Sequence, residues 1–224
     1  DNFNFVYVGN SQWRKGLDIL INAWKDAFKK FDKACLVIKD NPKIYGQSNI
    51  LNEIIKMQYK TGCSDVVYVD EDLSDKEMAA LFKASDIVVH PYRAEGFGMH
   101  IQEAMACGCV PLVSADGPTD DFVNGENGFI VPVERKSVNI TDSNIFAMKP
   151  GDAMTGMSTH TFYNEPSMEA LKNGIKVLYH SHNKEEEVYS KKDAMNMLNT
   201  WEKIAEDYVK VLEEIKVRNN IVRY

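Results

Sequence analysis

Long apolar runs are missing from this 224-residue chain. Ile87-Val88-Val89 and the stretch from Cys109 to Val113 fall far short of the roughly 20 residues that span a bilayer, which excludes an obvious transmembrane helix. A surplus of positive charge is missing too: 26 Lys and Arg against 33 Asp and Glu leave −7 at pH 7. That balance argues against a diffuse electrostatic grip on nucleic acid, so an anionic ligand must be held by local groups. With 13 glycines, 7 prolines and 44% hydrophobic residues, collagen-like and disordered classes are excluded. The four cysteines, Cys35, Cys63, Cys107 and Cys109, are too few for a disulfide scaffold and lack metal-ligand spacing on both sides. They read as reduced thiols of a cytoplasmic protein; Cys107 and Cys109 could pair or bind metal, with helix-end packing the plainer reading. No initiator Met or signal core precedes Asp1-Asn2-Phe3-Asn4, so a segment of a longer polypeptide is expected.

What is present is a regular alternation. Phe3 to Val8 reads as a strand stopped by Gly9-Asn10, and Leu17, Leu20, Trp24 and Phe28 then recur at helical spacing. Further strands are expected at Leu36–Ile38, Val66–Val69, Ile87–Val89, Val110–Val113 and Phe129–Val131, with helices around Ile50–Met57, after a Ser74/Glu77 capping box, and from Met99 to Cys107. Short continuous apolar strands alternating with helices predict an α/β fold, a doubly wound parallel sheet covered on both faces. From Glu134 to Asn164 no period is visible, and this stretch is expected to be an inserted loop. A helix is then expected from Glu165-Pro166-Ser167, completing a domain at 1–180. An amphipathic helical tail over 181–224, through Met195, Trp201, Tyr208 and Ile215, is expected to pack on it. His160, His180 and His182 have no carboxylate or Cys at ligand spacing and read as surface residues.

In an open parallel sheet, ligands bind beyond the carboxyl ends of the strands, and two loops there carry chemistry. Gly9-Asn10-Ser11-Gln12-Trp13-Arg14-Lys15-Gly16 places two cations at the start of a helix, where the dipole repels them. Either they are a solvated pair or an anion lies between them. The second loop, Pro91 to Met99, has glycines at 96 and 98 ahead of a helix N-terminus, a cradle for phosphate without a Walker lysine. Glu95 stands before that helix and Glu103 about a turn inside it. Two carboxylates facing one crevice can accept hydrogen bonds from vicinal hydroxyls, and a nucleotide sugar has hydroxylated rings on either side of its phosphates. The alternative is a helix-start carboxylate and a surface glutamate.

The stretch Glu95-Gly96-Phe97-Gly98-Met99-His100-Ile101-Gln102-Glu103-Ala104-Met105-Ala106-Cys107-Gly108, with Gly9, Arg14-Lys15-Gly16, Ala84 to Pro91, Gly117-Pro118 and Gly125 to Phe129, resembles the signature of retaining GT-B glycosyltransferases of the large family 4 type. The resemblance covers about the first 130 residues. It implies the Rossmann-like, donor-binding C-terminal half-domain, without the N-terminal acceptor domain. It implies that Lys15 meets the donor diphosphate, Glu95 the transferred sugar and Glu103 the ribose, with backbone N–H groups of Gly96, Phe97, Gly98 and Met99 on sugar and phosphates. In many relatives an arginine follows the glycine matched by Gly9; here Asn10 stands there, and Arg14 could supply the charge. The implied substrate is a UDP- or GDP-sugar and the acceptor a glycan, lipid or protein. No metal or other cofactor is expected, since no Asp-x-Asp pair stands in a suitable loop. The implied location is cytoplasmic, with room for a peripheral membrane contact. A nucleotide-sugar binding module or interaction module without catalysis of its own is the alternative.

Overall fold

The computed structural model describes residues 2–41, 52–56, 62–139 and 160–183, with a few isolated positions beyond 194. Six strands, β1 (Phe3–Val8), β2 (Ala34–Lys39), β3 (Asp65–Val69), β4 (Ile87–His90), β5 (Val110–Ser114) and β6 (Phe129–Val131), form one sheet. Every pairing in it is parallel, in the order β3-β2-β1-β4-β5-β6. All residues of β4 and β5 are buried, as expected for strands covered on both faces.

Side-chain alternation along the strands builds two cores. On one face Phe5, Tyr7, Ile87 and Val89 pack with α1 (Leu17–Ala27) and a late helix, α4 (Met168–Asn183). The centre of this core is aromatic: the Phe5 ring meets Trp24 edge-on at 5.3 Å, and Phe28 packs on Trp24 at 4.6 Å and on Tyr179 at 5.0 Å. On the other face Val6, Val88 and Val113 pack with Phe82 of α2 (Asp75–Lys83) and with Ile101 and Met105 of α3 (Met99–Ala106). Each such side chain stabilises the fold by about 1.5–3 kcal/mol when fully buried. The capping box opens α2: Ser74 N–H donates to Glu77 Oε2 at 2.8 Å and Glu77 N–H to Ser74 Oγ at 3.4 Å.

At its two described ends, the stretch expected as an inserted loop is strand instead. β7 (Val133–Asn139) and β8 (His160–Pro166) form an antiparallel ribbon, with Val133 opposite Pro166 and Ser137 opposite Phe162. None of the described ribbon side chains belongs to either core cluster, although Tyr163 packs on the Trp13 ring at 4.7 Å, and Glu134-Arg135-Lys136-Ser137 shows no strand period to read. Glu165 and Pro166 accordingly end a strand, and α4 starts at Met168 with Ser167 Oγ accepting from Ala170 N–H at 3.2 Å. Residues 52–56 are helical. The remainder of the helix around Ile50–Met57, the middle of the 134–164 segment and nearly all of the tail over 181–224 lie outside the described residues.

Candidate active site

The sheet order reverses between β1 and β4, so the connections that follow these adjacent strands leave in opposite directions and open a crevice. The two chemistry-bearing loops follow these same strands. They are joined by backbone: the N–H groups of Arg93 and Ala94 donate to the Arg14 carbonyl at 2.7 and 3.2 Å. Gly16 makes the approach possible. Its φ is +73°, and a Cβ there would lie 1.8 Å from the Pro91 carbonyl oxygen.

A 3-10 turn, Trp13–Lys15, aims the two cations across this seam. Lys15 Nζ donates to Glu95 Oε2, and Arg14 Nη1 stands 3.9 Å from the same oxygen. The anion between the cations is therefore the protein's own Glu95. Its other oxygen accepts the Gly96 N–H at 2.8 Å. Burial alone would raise the Glu95 carboxyl, but the Lys15 hydrogen bond and charge outweigh it and hold the group below the ordinary carboxylate value. Burial also pulls the Lys15 ammonium below the ordinary lysine value, with Glu95 opposing the shift. Lys15 and Glu95 thus form a mostly buried pair with little water around it.

The other residues singled out by the sequence take separate places. Gly98, with φ +87°, begins α3 in the left-handed conformation; its carbonyl accepts the Ile101 N–H at 2.9 Å, and the N–H groups of Met99 and His100 precede the first bonds of the helix. Phe97 and Met99 side chains are exposed. Gly9 and Asn10 line a cavity of about 250 Å³ beside Lys39 and Asp40. Asn10 is buried in a turn of its own, its Oδ1 accepting the Gln12 N–H at 3.1 Å and its carbonyl the Tyr7 hydroxyl at 2.9 Å. Glu103 is exposed on α3, and partial burial together with Asp75 raises its carboxyl pKa. It lines neither this cavity nor a second cleft beside Glu95.

Three features were not legible in the sequence. A cleft of about 460 Å³ beside Glu95 is walled by Arg93, Asp116, Arg135, Phe162 and Asn164, so the ribbon forms one side of it. Arg93 fastens that ribbon: it pairs with Asp18 on α1 and Glu165 on β8, donates to the Trp13 carbonyl at 2.6 Å and stacks over the Trp13 ring at 4.4 Å. Third, His90 at the end of β4 and His100 on α3 lie ring to ring at 4.4 Å. Burial, reinforced by neighbouring positive charge, keeps His90 well below the ordinary histidine value and pulls His100 down to about 4. A charged or polar residue closing an otherwise apolar strand, as in Ile87-Val88-Val89-His90 or Val37-Ile38-Lys39-Asp40, is the signal that could have found His90, Lys39 and Asp40. For Arg93 there was none, because its partners lie 75 and 72 positions away.

The model of the family described as glycosyl transferases group 1 matches residues 1–145. The chain belongs to this family. An uncharacterized glycosyltransferase of Methanocaldococcus jannaschii is 27% identical over 183 residues, which is 80% of this chain and 48% of that protein. A D-inositol 3-phosphate glycosyltransferase of Pseudarthrobacter chlorophenolicus is 30% identical over 139 residues, 58% of this chain and 30% of that protein. The chain thus spans half or less of these curated relatives. Among solved structures, sucrose-phosphate synthase from Thermosynechococcus elongatus superposes with a TM-score of 0.65 at 20% identity over 97% of this chain and 46% of that one. Anabaena HepE, solved in complex with UDP and glucose, superposes with a TM-score of 0.61 at 17% identity over 96% of this chain and 48% of that one. These likenesses are of fold, and they agree with a GT-B-like group 1 domain built on the six-stranded parallel sheet.

Among the described residues, no three His, Cys, Asp or Glu side chains stand together as a metal site, and no helix is long and apolar enough to cross a membrane.

Proposed function

We propose that this chain is the donor-binding half of a group 1 glycosyltransferase that moves a sugar from a nucleotide diphosphate sugar, such as a UDP- or GDP-sugar, to a glycan, lipid or protein acceptor with retention of configuration. One observation carries the reading: Lys15 and Arg14 converge with Glu95 at the crevice between β1 and β4. Two cations are held there by an internal carboxylate that a diphosphate can displace. The first-turn N–H groups after Gly98 add a second anion-binding device from the opposite loop.

As the glycosidic bond breaks, negative charge builds on the leaving diphosphate. Lys15, Arg14 and the α3 N–H groups would stabilise that charge in a site already organised for it, and the reading needs no metal for this. Glu95, released by Lys15, accepts hydrogen bonds from the transferred sugar's hydroxyls and is assigned no nucleophilic role. Glu103 is assigned the ribose hydroxyls. Binding of UDP by Anabaena HepE, whose fold this chain shares, supports a nucleoside diphosphate as the common element. In this reading the acceptor half lies in the length of the relatives that this chain does not cover, so the chain alone binds donor without turning it over.

Thermal-shift screening against UDP-, GDP- and ADP-sugars tests the proposal. A ligand that binds only the folded state raises the melting temperature as its concentration exceeds Kd. One nucleotide-sugar class raising it is the expected result. A response to free bases or nucleic acid, and to none of the nucleotide sugars, overturns the reading.

A further inference from the structure

We propose that His90 is a positioning residue for Glu95: when the donor diphosphate draws Lys15 away, His90 takes its place as the hydrogen-bond donor that holds the Glu95 carboxylate toward the transferred sugar. The inference rests on the donor reading given above.

His90 is completely buried at the carboxyl end of β4, and neither of its ring nitrogens has a hydrogen-bond partner. Buried polar atoms are nearly always paired, so an orphaned imidazole at a ligand crevice points to a partner that arrives later. His100 Nε2, on the adjoining ring, is unpaired as well, and Glu95 is the carboxylate within reach. His90 Nε2 lies 3.8 Å from Glu95 Oε2, the oxygen that Lys15 contacts. That separation is too long for a hydrogen bond, yet a small rotation of the carboxylate closes it once Lys15 has turned to phosphate.

The ring itself is confined. Tyr7 of β1 packs on it edge-on at 5.0 Å, Tyr92 at 6.0 Å and His100 of α3 at 4.4 Å. The charged and titratable groups facing it are therefore Lys15 and Arg14 from the first loop, Glu95 and Tyr92 from the second, Tyr7 and His100. Both phenols stay neutral, since burial raises them. In the resting state burial, then His100, Lys15 and Arg14, keep the imidazole neutral. Donor binding reverses the balance. Lys15 becomes paired to phosphate, the diphosphate brings negative charge, and Glu95 loses its cation while remaining mostly buried. A proton taken from the buffer onto His90 then pairs Glu95 again.

Two measurements on the 224-residue chain test this. In the first, the His90 imidazole is titrated by ¹⁵N NMR in the parent, Lys15→Ala and Lys15→Ala/Glu95→Gln chains, none of which alters His90. Freed Glu95 is expected to raise the His90 titration in Lys15→Ala by at least about one pH unit, and Glu95→Gln to cancel most of the rise. An equal rise in both variants overturns the proposal. In the second, UDP-glucose, GDP-glucose and ADP-glucose are titrated calorimetrically near pH 6 in buffers of different ionisation enthalpy. Uptake of about one proton by the parent chain and close to none by His90→Gln, which still binds, is expected. Binding without proton uptake overturns the inference and leaves the donor reading standing, whereas binding of none of the three sugars overturns both.

Discussion

Arg93 grips Glu165 through two parallel hydrogen bonds, Nε to Oε2 at 2.8 Å and Nη2 to Oε1 at 3.0 Å. The same guanidinium holds both oxygens of Asp18, at 2.8 and 2.9 Å. One buried side chain thereby ties the β7–β8 ribbon, α1 and the loop carrying Glu95 into a single wall. Burial would lower its pKa, but the hydrogen bonds and charges of Asp18 and Glu165 raise it instead.

Removing that side chain is expected to leave two carboxylates uncompensated. Arg93→Ala should destabilise the chain by about 3 kcal/mol, the lower end for a broken buried ion pair because both carboxylates reach water. Arg93→Lys should recover only part of the loss, since an ammonium cannot fork between two carboxylates. Urea denaturation with an unchanged slope measures both.

Gly16 is the steric hinge between the two loops. Gly16→Ala would drive its Cβ into the Pro91 carbonyl and also strain a left-handed residue, so a loss of more than about 3 kcal/mol is expected. A circular-dichroism melt checks it; a variant as stable as the parent would show that the loops separate readily.

For donor affinity, Lys15→Ala and Glu103→Ala should each remove charged hydrogen bonds worth about 1.5–3 kcal/mol, roughly a tenfold to hundredfold rise in Kd. Lys15→Ala should act on every nucleoside diphosphate. Glu103→Ala should act on ribose-bearing ligands and leave inorganic pyrophosphate untouched. Calorimetry with UDP, GDP and pyrophosphate separates the two, and unchanged nucleotide affinity in Glu103→Ala would remove that residue from the site.

Acid should weaken the fold through the two buried histidines. His100 is held at about 4 in the folded state against an ordinary value of 6.5, and His90 is depressed in the same direction. Above about 6.5 both states carry neutral imidazoles and nothing is lost. As pH falls from 6.5 toward 4, the unfolded chain binds protons that the folded chain refuses, so stability declines by up to about 1.4 kcal/mol per pH unit for each group. Melting temperatures across that window should fall, and His100→Leu should flatten the decline.

Much of this architecture is written locally. Apolar runs such as Cys35-Leu36-Val37-Ile38 and the helical spacing of Leu17, Leu20, Trp24 and Phe28 place strands and helices because burial on one or both faces imposes a period on the residues themselves. The Ser74/Glu77 box and the left-handed glycines at 16 and 98 mark turns for equally local reasons, although at Gly16 the Pro91 carbonyl, far along the chain, demands a glycine as well. The ribbon of β7 and β8 escaped that logic, since its described side chains join neither core cluster and its pairing, with Arg135 over the Phe162 ring, is made between strands distant in sequence.

By itself the sequence determined the alternating parallel sheet, the two loops beyond its strand ends and the residue types able to meet a diphosphate and hydroxylated rings, because each follows from neighbours within a few positions. Only the tertiary structure decided that Lys15 spends its charge on Glu95, 80 positions away, that Arg93 clamps α1 to the ribbon, and that His90 is buried without a partner beside them. The two pairings act through space and are settled by which strands lie side by side in the sheet; the strand end at His90 is visible locally, but what surrounds its ring is not.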